Sequence, residues 1–306
     1  MTTEKEFSRG QTGGGPGSRS FRFETEVRGA VLRGIGIHPG CAVPRGDLLV
    51  HHGHGEHSGR YSHLADFFSR NGWRVWLYDM RGHGLSTGRR GDVECYGDLL
   101  EDIEAVLGQC LGQDRPFFLM GHSLGGQVVL SAARRWETAA DQGRNAGGRC
   151  LGVVSASPYL KLAFSPGKFH LAMAHLARRI APGWTSRSPV HALDLSRDLD
   201  WLQSMAGGSL VHDRISARMF FEVEEAARGL LEGGLRIGLP LLLMHGGDDR
   251  VTSVDATRVF WSRTEAGPGS AFRVYEGFRH ELFNERGRER VFGEVLEWMN
   301  ARLPSP

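Results

Sequence analysis

Ser123 stands at the centre of Gly121-His122-Ser123-Leu124-Gly125, with the apolar run PFFLM before it and the helix-forming QVVLSAARRW after it. Between strand and helix, GxSxG describes a tight turn that lifts a serine hydroxyl clear of the backbone. Such a turn leaves room only for small neighbours, which Gly121 and Gly125 supply. The helix that follows aims free N–H groups and a positive dipole end at developing negative charge. The plainer alternative is a glycine-rich turn without chemistry. Against it, an acid and a base follow in the order Ser, Asp, His, each just after an apolar strand-like run. His280 lies in FRHELFNE, behind the run AFRVYEG, and LPLLLMHGGDDRVT supplies Asp248 and Asp249. Asp249 is favoured because Arg250-Val251 turns into the next helix; Asp248 is its rival, and either could be a simple turn or N-cap residue. His191 and His212, which hold no such position, read as surface histidines.

These three residues can perform acyl transfer. His280 would accept the Ser123 proton as Ser123 attacks an ester carbonyl, and the acid would hold the imidazole tautomer and balance its charge. The tetrahedral oxyanion needs two backbone donors, each worth about 3 kcal/mol. The N–H of Leu124, next to the nucleophile, is one; the loop after DLLVHH should give the other.

That loop, LVHHGHGEHSGRYSHL, carries His51, His52, His54 and His57 within seven positions, with Glu56 among them. It admits two readings: zinc ligands His52, His54 and His57, or an HGxG loop that holds an oxyanion. The zinc reading needs an aspartate where Glu56 stands and further ligands after later strands, and it leaves Ser123 unexplained. No metal and no cofactor are therefore expected.

The elements that must position these groups alternate as βαβ units. FRFETEV and AVLRGIGI read as opening antiparallel strands, DLLVHH as a buried strand, and YSHLADFFSRNG as a helix stopped by Asn71-Gly72. WRVWLYDM is a strand, 95–111 a helix with Leu99, Leu100, Ile103, Val106 and Leu107 on one face, and CLGVVSAS the sixth strand. From 158 to 235 the pattern turns helical with no convincing strand, and it resumes at IGLPLLLMHGGDD with a helix near 253–265, the strand AFRVYEG and a helix near 287–302. The insert of about 158–235 is expected to form a lid over the strand ends. Residues 1–20, rich in Gly and Ser, read as a flexible tail ahead of a single domain at 21–306.

Composition narrows the classes. With 37 basic against 35 acidic residues there is no electrostatic footprint for nucleic acid. Four scattered cysteines (Cys41, Cys95, Cys110, Cys150) form no CxxC pair and suit a reducing compartment. The N-terminus lacks a signal-peptide core, and no apolar run reaches membrane-spanning length. A cytoplasmic protein with no obligate protein partner is the expectation.

Taken together, HGHGEHSGRY (52–61), YDMRGHGLSTGRRG with Asp79, Gly82, His83, Gly84 and Ser86, GHSLGG, HGGDDRV and YEGFRHELFNE resemble the monoglyceride lipases and related lysophospholipase-like serine hydrolases. The resemblance covers 21–306 apart from the insert. It implies the α/β-hydrolase fold: α/β class, a mostly parallel central sheet flanked by helices, with a helical lid inserted after strand six. It supports Asp249 over Asp248, makes the N–H of His54 the second oxyanion donor, and makes Glu56, His57 and Arg60 the brace of that loop. The variable position of HGxG is usually small or apolar in that family; the imidazole of His54 departs from this beside the acyl site.

The expected activity is hydrolysis of single-chain lipid esters, monoacylglycerol or lysophospholipid, through an acyl-enzyme. A short-chain carboxylesterase or amidase of the same fold is the alternative within the enzyme class; a non-catalytic ligand-binding homologue or a zinc hydrolase lies outside it. In the insert, Leu171, Met173, Leu176, Ile180, Met219, Phe220, Phe221 and Val223 either line a substrate tunnel and touch a membrane surface transiently, or only pack the lid onto the core.

Overall fold

Along Phe117-Phe118-Leu119-Met120, successive side chains enter opposite cores. Phe117 and Leu119 join one cluster with Val106, Val128 and Phe260, while Phe118 and Met120 join the other with Phe68, Val295 and Met299. This two-residue alternation, apolar on both sides, marks a central strand covered on both faces. Each such burial contributes about 1.5–3 kcal/mol relative to exposure.

The computed structural model describes residues 5–6, 18–41, 43–111, 115–141, 150–205, 208–233 and 236–304. In chain order the first half contains β1 (Lys5–Glu6), β2 (Arg19–Val27), β3 (Ala30–His38), β4 (Asp47–His51), α1 (Ser62–Arg70), β5 (Arg74–Asp79), α2 (Tyr96–Cys110), β6 (Phe117–His122), α3 (Leu124–Asp141) and β7 (Cys150–Ala156). An insert follows with α4 (Lys168–Ile180), β8 (Thr185–Arg187), α5 (Ala192–Leu195), α6 (Leu199–Met205), β9 (Arg214–Ser216) and α7 (Ala217–Glu232). The chain closes with β10 (Arg236–Ile237), β11 (Leu241–Gly246), α8 (Val254–Arg263), β12 (Glu265–Ala266), β13 (Ala271–Tyr275) and α9 (Arg288–Asn300).

One sheet of nine strands runs β1-β2-β3-β5-β4-β6-β7-β11-β13. The pairs from β1 to β5 are antiparallel and every pair from β5 to β13 is parallel, as expected of a mostly parallel sheet. Register aligns the carboxyl ends of its middle strands: His51 faces Gly121, and His122 faces Ala156. The loops leaving β4, β6 and β7 therefore emerge side by side, where open α/β sheets carry their sites.

Asn71 and Gly72 (φ +86°) end α1, as the sequence indicates. The expected tail lies mostly outside the described residues; Lys5–Glu6 pairs with Phe21–Arg22, and β2 starts at Arg19, inside the span assigned to the tail. The insert differs from an all-helical reading. β8 and β9 pair antiparallel, Thr185 with Ser216 and Arg187 with Arg214; three-residue strands are too short to show alternation. Among the described residues no helix is long and apolar enough to cross a membrane.

Candidate active site

Ser123 has φ +55° at the turn from β6 to α3, a left-handed conformation that costs a side-chain-bearing residue energy. The neighbouring backbone fixes it there. Ser123 N–H donates to Ala156 O at 2.9 Å, and its carbonyl accepts from Gln127 and Tyr159 N–H, each at 3.0 Å. The flanking glycines are sterically required: a Cβ on Gly121 would fall 2.2 Å from Gly125 O, and one on Gly125 2.3 Å from His51 O.

Ser123 Oγ is 2.9 Å from His280 Nε2, and His280 Nδ1 is 2.8 Å from Asp249 Oδ2. The three groups that the sequence places after β6, β11 and β13 are thus brought into one line. Asp249 is buried and Asp248 exposed, so the structure separates the two rivals. Asp249 Oδ1 accepts from the N–H groups of Val251 and Thr252 at 2.8 and 2.9 Å, and Oδ2 from Thr252 Oγ1 at 2.9 Å. His245 Nε2, 3.1 Å away, adds a fourth neighbour. Burial alone would raise the Asp249 pKa, but His280 and His245 hold it well below the usual carboxylate range. Burial would likewise lower the His280 pKa, yet the charge of Asp249 raises it above its ordinary value. His245 and Thr252 escaped the sequence reading; Thr252 lies three residues past Asp249, the spacing of a side chain that closes an aspartate turn.

The loop after β4 is held by charge. Glu56 Oε1 accepts from Gly53 N–H at 2.6 Å and from Tyr61 OH at 2.7 Å, and Oε2 from Arg60 Nε at 2.8 Å. Arg60 Nη2 reaches both oxygens of Glu281, the residue after His280. Burial would raise the Glu56 pKa, but Arg60 and its other partners lower it. His57 does not join that brace; its Nδ1 accepts from Gly59 N–H at 3.2 Å and caps the turn Ser58–Tyr61. Glu281 and Tyr61 were not singled out from sequence, although both sit inside the quoted motifs. Asp79 ties two loops, accepting from Ser58 and Leu85 N–H, each at 2.7 Å.

The backbone N–H of Leu124 opens α3, and that of His54 lies between Gly53 and Gly55 (φ +78°). Neither donates to a protein acceptor among the described residues. The zinc set read from sequence is not assembled. His52 Nδ1 bonds Gly53 O at 2.7 Å and its Nε2 accepts from Met80 N–H at 3.0 Å, so both nitrogens are used. His191 is exposed, as expected, but His212 is not a surface histidine. Its N–H donates to Gly55 O at 2.8 Å, which draws its ring to 5.5 Å from that of His54 and leaves its Nε2 out of water.

A cavity of about 1210 Å³ opens over Ser123 between the strand ends and the insert. Leu171, Met173, Met219, Phe220 and Val223 line it. Leu176 and Ile180 do not: they turn outward, 49% and 73% exposed, and Phe221 packs on His175 and Arg178 instead. Helical spacing groups these residues without saying which flank of the face meets the cavity.

Residues 42–287 match the family described as Serine aminopeptidase, S33. A monoacylglycerol lipase of Mycolicibacterium smegmatis is 28% identical over 85% of this chain and 90% of its own length. Phospholipase YtpA of Bacillus subtilis is 31% identical over 80% of this chain and 91% of its length. The chain also spans 27% of a longer abhydrolase domain-containing protein of Dictyostelium discoideum, at 30% identity over 85% of this chain. Among solved structures, the monoacylglycerol lipase of Paleococcus ferrophilus superposes with a TM-score of 0.75 at 28% identity, covering 93% of this chain and 99% of that one.

Proposed function

Since the chain belongs to the serine aminopeptidase S33 family, with the α/β-hydrolase fold, we propose that it hydrolyses single-chain lipid esters, monoacylglycerol or lysophospholipid. Ser123 is the nucleophile, His280 the general base and then acid, and Asp249 the group that orients and charge-balances His280. The observation that carries this reading is the unbroken relay Ser123–His280–Asp249, at 2.9 and 2.8 Å, on the floor of a largely apolar cavity.

His280 takes the Ser123 proton as Oγ attacks the ester carbonyl. The N–H groups of Leu124 and His54 receive the oxyanion, and His280 returns the proton to the leaving alcohol. Water, activated by the same imidazole, then releases the acid from Ser123. Names of relatives support the lipid ester: monoacylglycerol lipase, phospholipase and monoglyceride lipase. The family description also raises a peptide substrate. An ammonium-bearing peptide substrate would be held best by a free carboxylate, whereas of the carboxylates lining the cavity Glu56 and Glu281 are paired with Arg60, and Asp213 with Arg187.

Residues 158–235 act as a cap. Its α4 turns Leu176 and Ile180 outward at 49 and 73% exposure, and Phe169 and Met173, which also line the cavity, are 74 and 44% exposed, an apolar face suited to brief contact with a lipid surface. A hydrolysis panel of monoacylglycerols, lysophospholipids and p-nitrophenyl esters of increasing chain length tests the substrate class. Medium or long chains should be preferred, with Ser123→Ala inactive; preference for acetyl esters would overturn the reading. Co-sedimentation with anionic vesicles should fall for Ile180→Glu.

A further inference from the structure

His54, His83 and His212 come from three separate segments: the loop after β4, the loop after β5 and the turn before β9. Their rings nevertheless meet at one place, with ligating nitrogens all within 4.8 Å of one another. Ring centroids are 5.3 Å apart for His54–His83, 5.5 Å for His54–His212 and 4.5 Å for His83–His212. Both ring nitrogens of His54, and the Nε2 atoms of His83 and His212, are shielded from water and make no well-formed hydrogen bond among the described residues, although backbone groups of Arg214 and Gly82 lie near the His54 and His212 rings respectively. Buried polar atoms normally find partners, and one nitrogen from each of the three rings lies close enough to the others to share one.

Their surroundings prepare them as ligands. His83 Nδ1 lies 3.0 Å from Arg81 O, which keeps the proton on Nδ1 and leaves the Nε2 lone pair free, the usual arrangement behind a metal-bound histidine. His54 can present either nitrogen. His212 Nδ1 accepts from Arg214 N–H at 3.3 Å, a long bond whose loss is cheap if the ring turns. The cluster contains no carboxylate, so it does not suit calcium or magnesium, which take oxygen ligands. Three imidazoles suit zinc and its first-row neighbours.

We infer that His54, His83 and His212 form a binding site for a divalent transition metal of the zinc class, with the fourth position open to water. Metal–nitrogen bonds of about 2.0–2.1 Å would draw the rings closer than they stand. His212, on a turn of the insert, can make that movement. Its backbone already touches the loop: besides the His212 N–H bond to Gly55 O, a Cβ on Gly55 would fall 2.4 Å from His212 O. A bound ion would clasp the insert to the loop that carries the His54 N–H. The expected consequence is slower passage of substrate and product. This consequence rests on the proposed esterase reading; the binding itself does not.

The test uses the full chain and Zn²⁺ alone, by calorimetric titration and thermal unfolding, each with and without EDTA. The wild type should bind one saturable ion per chain and melt higher with zinc. His212→Gln should lose affinity about tenfold or more, and His212→Cys, which restores a zinc ligand, should regain it. His191→Gln, at an exposed histidine, should match the wild type. Equal affinity in the wild type and His212→Gln, failure of His212→Cys to rescue, or a loss as large in His191→Gln would each overturn the site. In p-nitrophenyl butyrate hydrolysis, zinc should slow the wild type and not His212→Gln; bound zinc with an unchanged rate would overturn the clasp and leave the site standing.

Discussion

Arg60 and Glu281 form a two-pronged ion pair, Nη2 lying 2.7 and 2.6 Å from the two carboxylate oxygens, directly behind His280. Because Arg60 Nε also holds Glu56, one cation joins the loop carrying the His54 N–H to the loop carrying the base. Trp201 of the insert lies over the same guanidinium at 5.5 Å and leans its Nε1–H toward Glu281 at 3.4 Å. The relative position of the His54 and His280 loops thus depends on a buried charge cluster and not on either loop alone.

Arg60→Met is expected to leave two buried carboxylates without their cation. The loss should be about 3–5 kcal/mol, as for other broken buried pairs. Denaturant unfolding measures it. Activity of the remaining folded enzyme should fall through kcat, because both loops lose their common anchor. A variant with wild-type stability and kcat would show that the cluster positions nothing.

Ser123→Ala should remove turnover by about 10³-fold or more while the protein stays folded, read by monoacylglycerol hydrolysis and circular dichroism. Since Ser123 sits at φ +55°, Ser123→Gly should be inactive too, yet melt at or above the wild-type temperature, because glycine relieves the backbone cost. Lower stability in the glycine variant would argue that the turn stores no strain.

His280 must be neutral to accept the Ser123 proton, and its pKa is raised above 6.5 by Asp249 against the effect of burial. The rate constant kcat/KM should therefore climb with pH and reach half its plateau above 6.5. Asp249→Asn should shift that midpoint down and cut the plateau by about 10⁴-fold. The same pair sets opposite stability limits. The raised His280 pKa contributes stability that is full below its unfolded value and fades as pH rises through the folded one. The depressed Asp249 pKa contributes stability present above its unfolded value near 3.8 and lost as pH falls through the folded one.

The Ser123 turn, the order of acid and base and the alternation in β6 were legible because each depends on near neighbours in sequence. Gly121 and Gly125 announce a turn that only small residues fit, and the sheet then aligns the strand ends. The cluster of His54, His83 and His212 was not legible. His212 arrives by a single backbone bond to Gly55 across the fold, and nothing around it in sequence marks that contact. Glu281 was visible as a residue of FRHELFNE, but its partner Arg60 belongs to another motif, and pairing of charges across loops has no local signature. Leu176 shows the limit of periodicity, for α4 has one apolar stripe whose edges face a cavity and water respectively.

At position 54 the backbone and the side chain are expected to act separately. His54→Ala keeps the N–H proposed to receive the oxyanion, so its kcat on short p-nitrophenyl esters should stay within about threefold of wild type, against the 10²–10³-fold typical of a lost donor. A larger loss would mean that the imidazole, and not only the amide, takes part in turnover.

Leu171 and Met173 of α4 line the cavity that also holds Ser123. Leu171→Trp should fill that space and leave the relay untouched. Long-chain monoacylglycerols should then lose kcat/KM by about tenfold, the scale of one or two misplaced methylenes in an apolar pocket, whereas p-nitrophenyl acetate should be cleaved as before. The comparison separates the two readings of the insert, because a lid that only packs on the core would affect both substrates through stability alone. A parallel fall for long and short esters would assign α4 to packing.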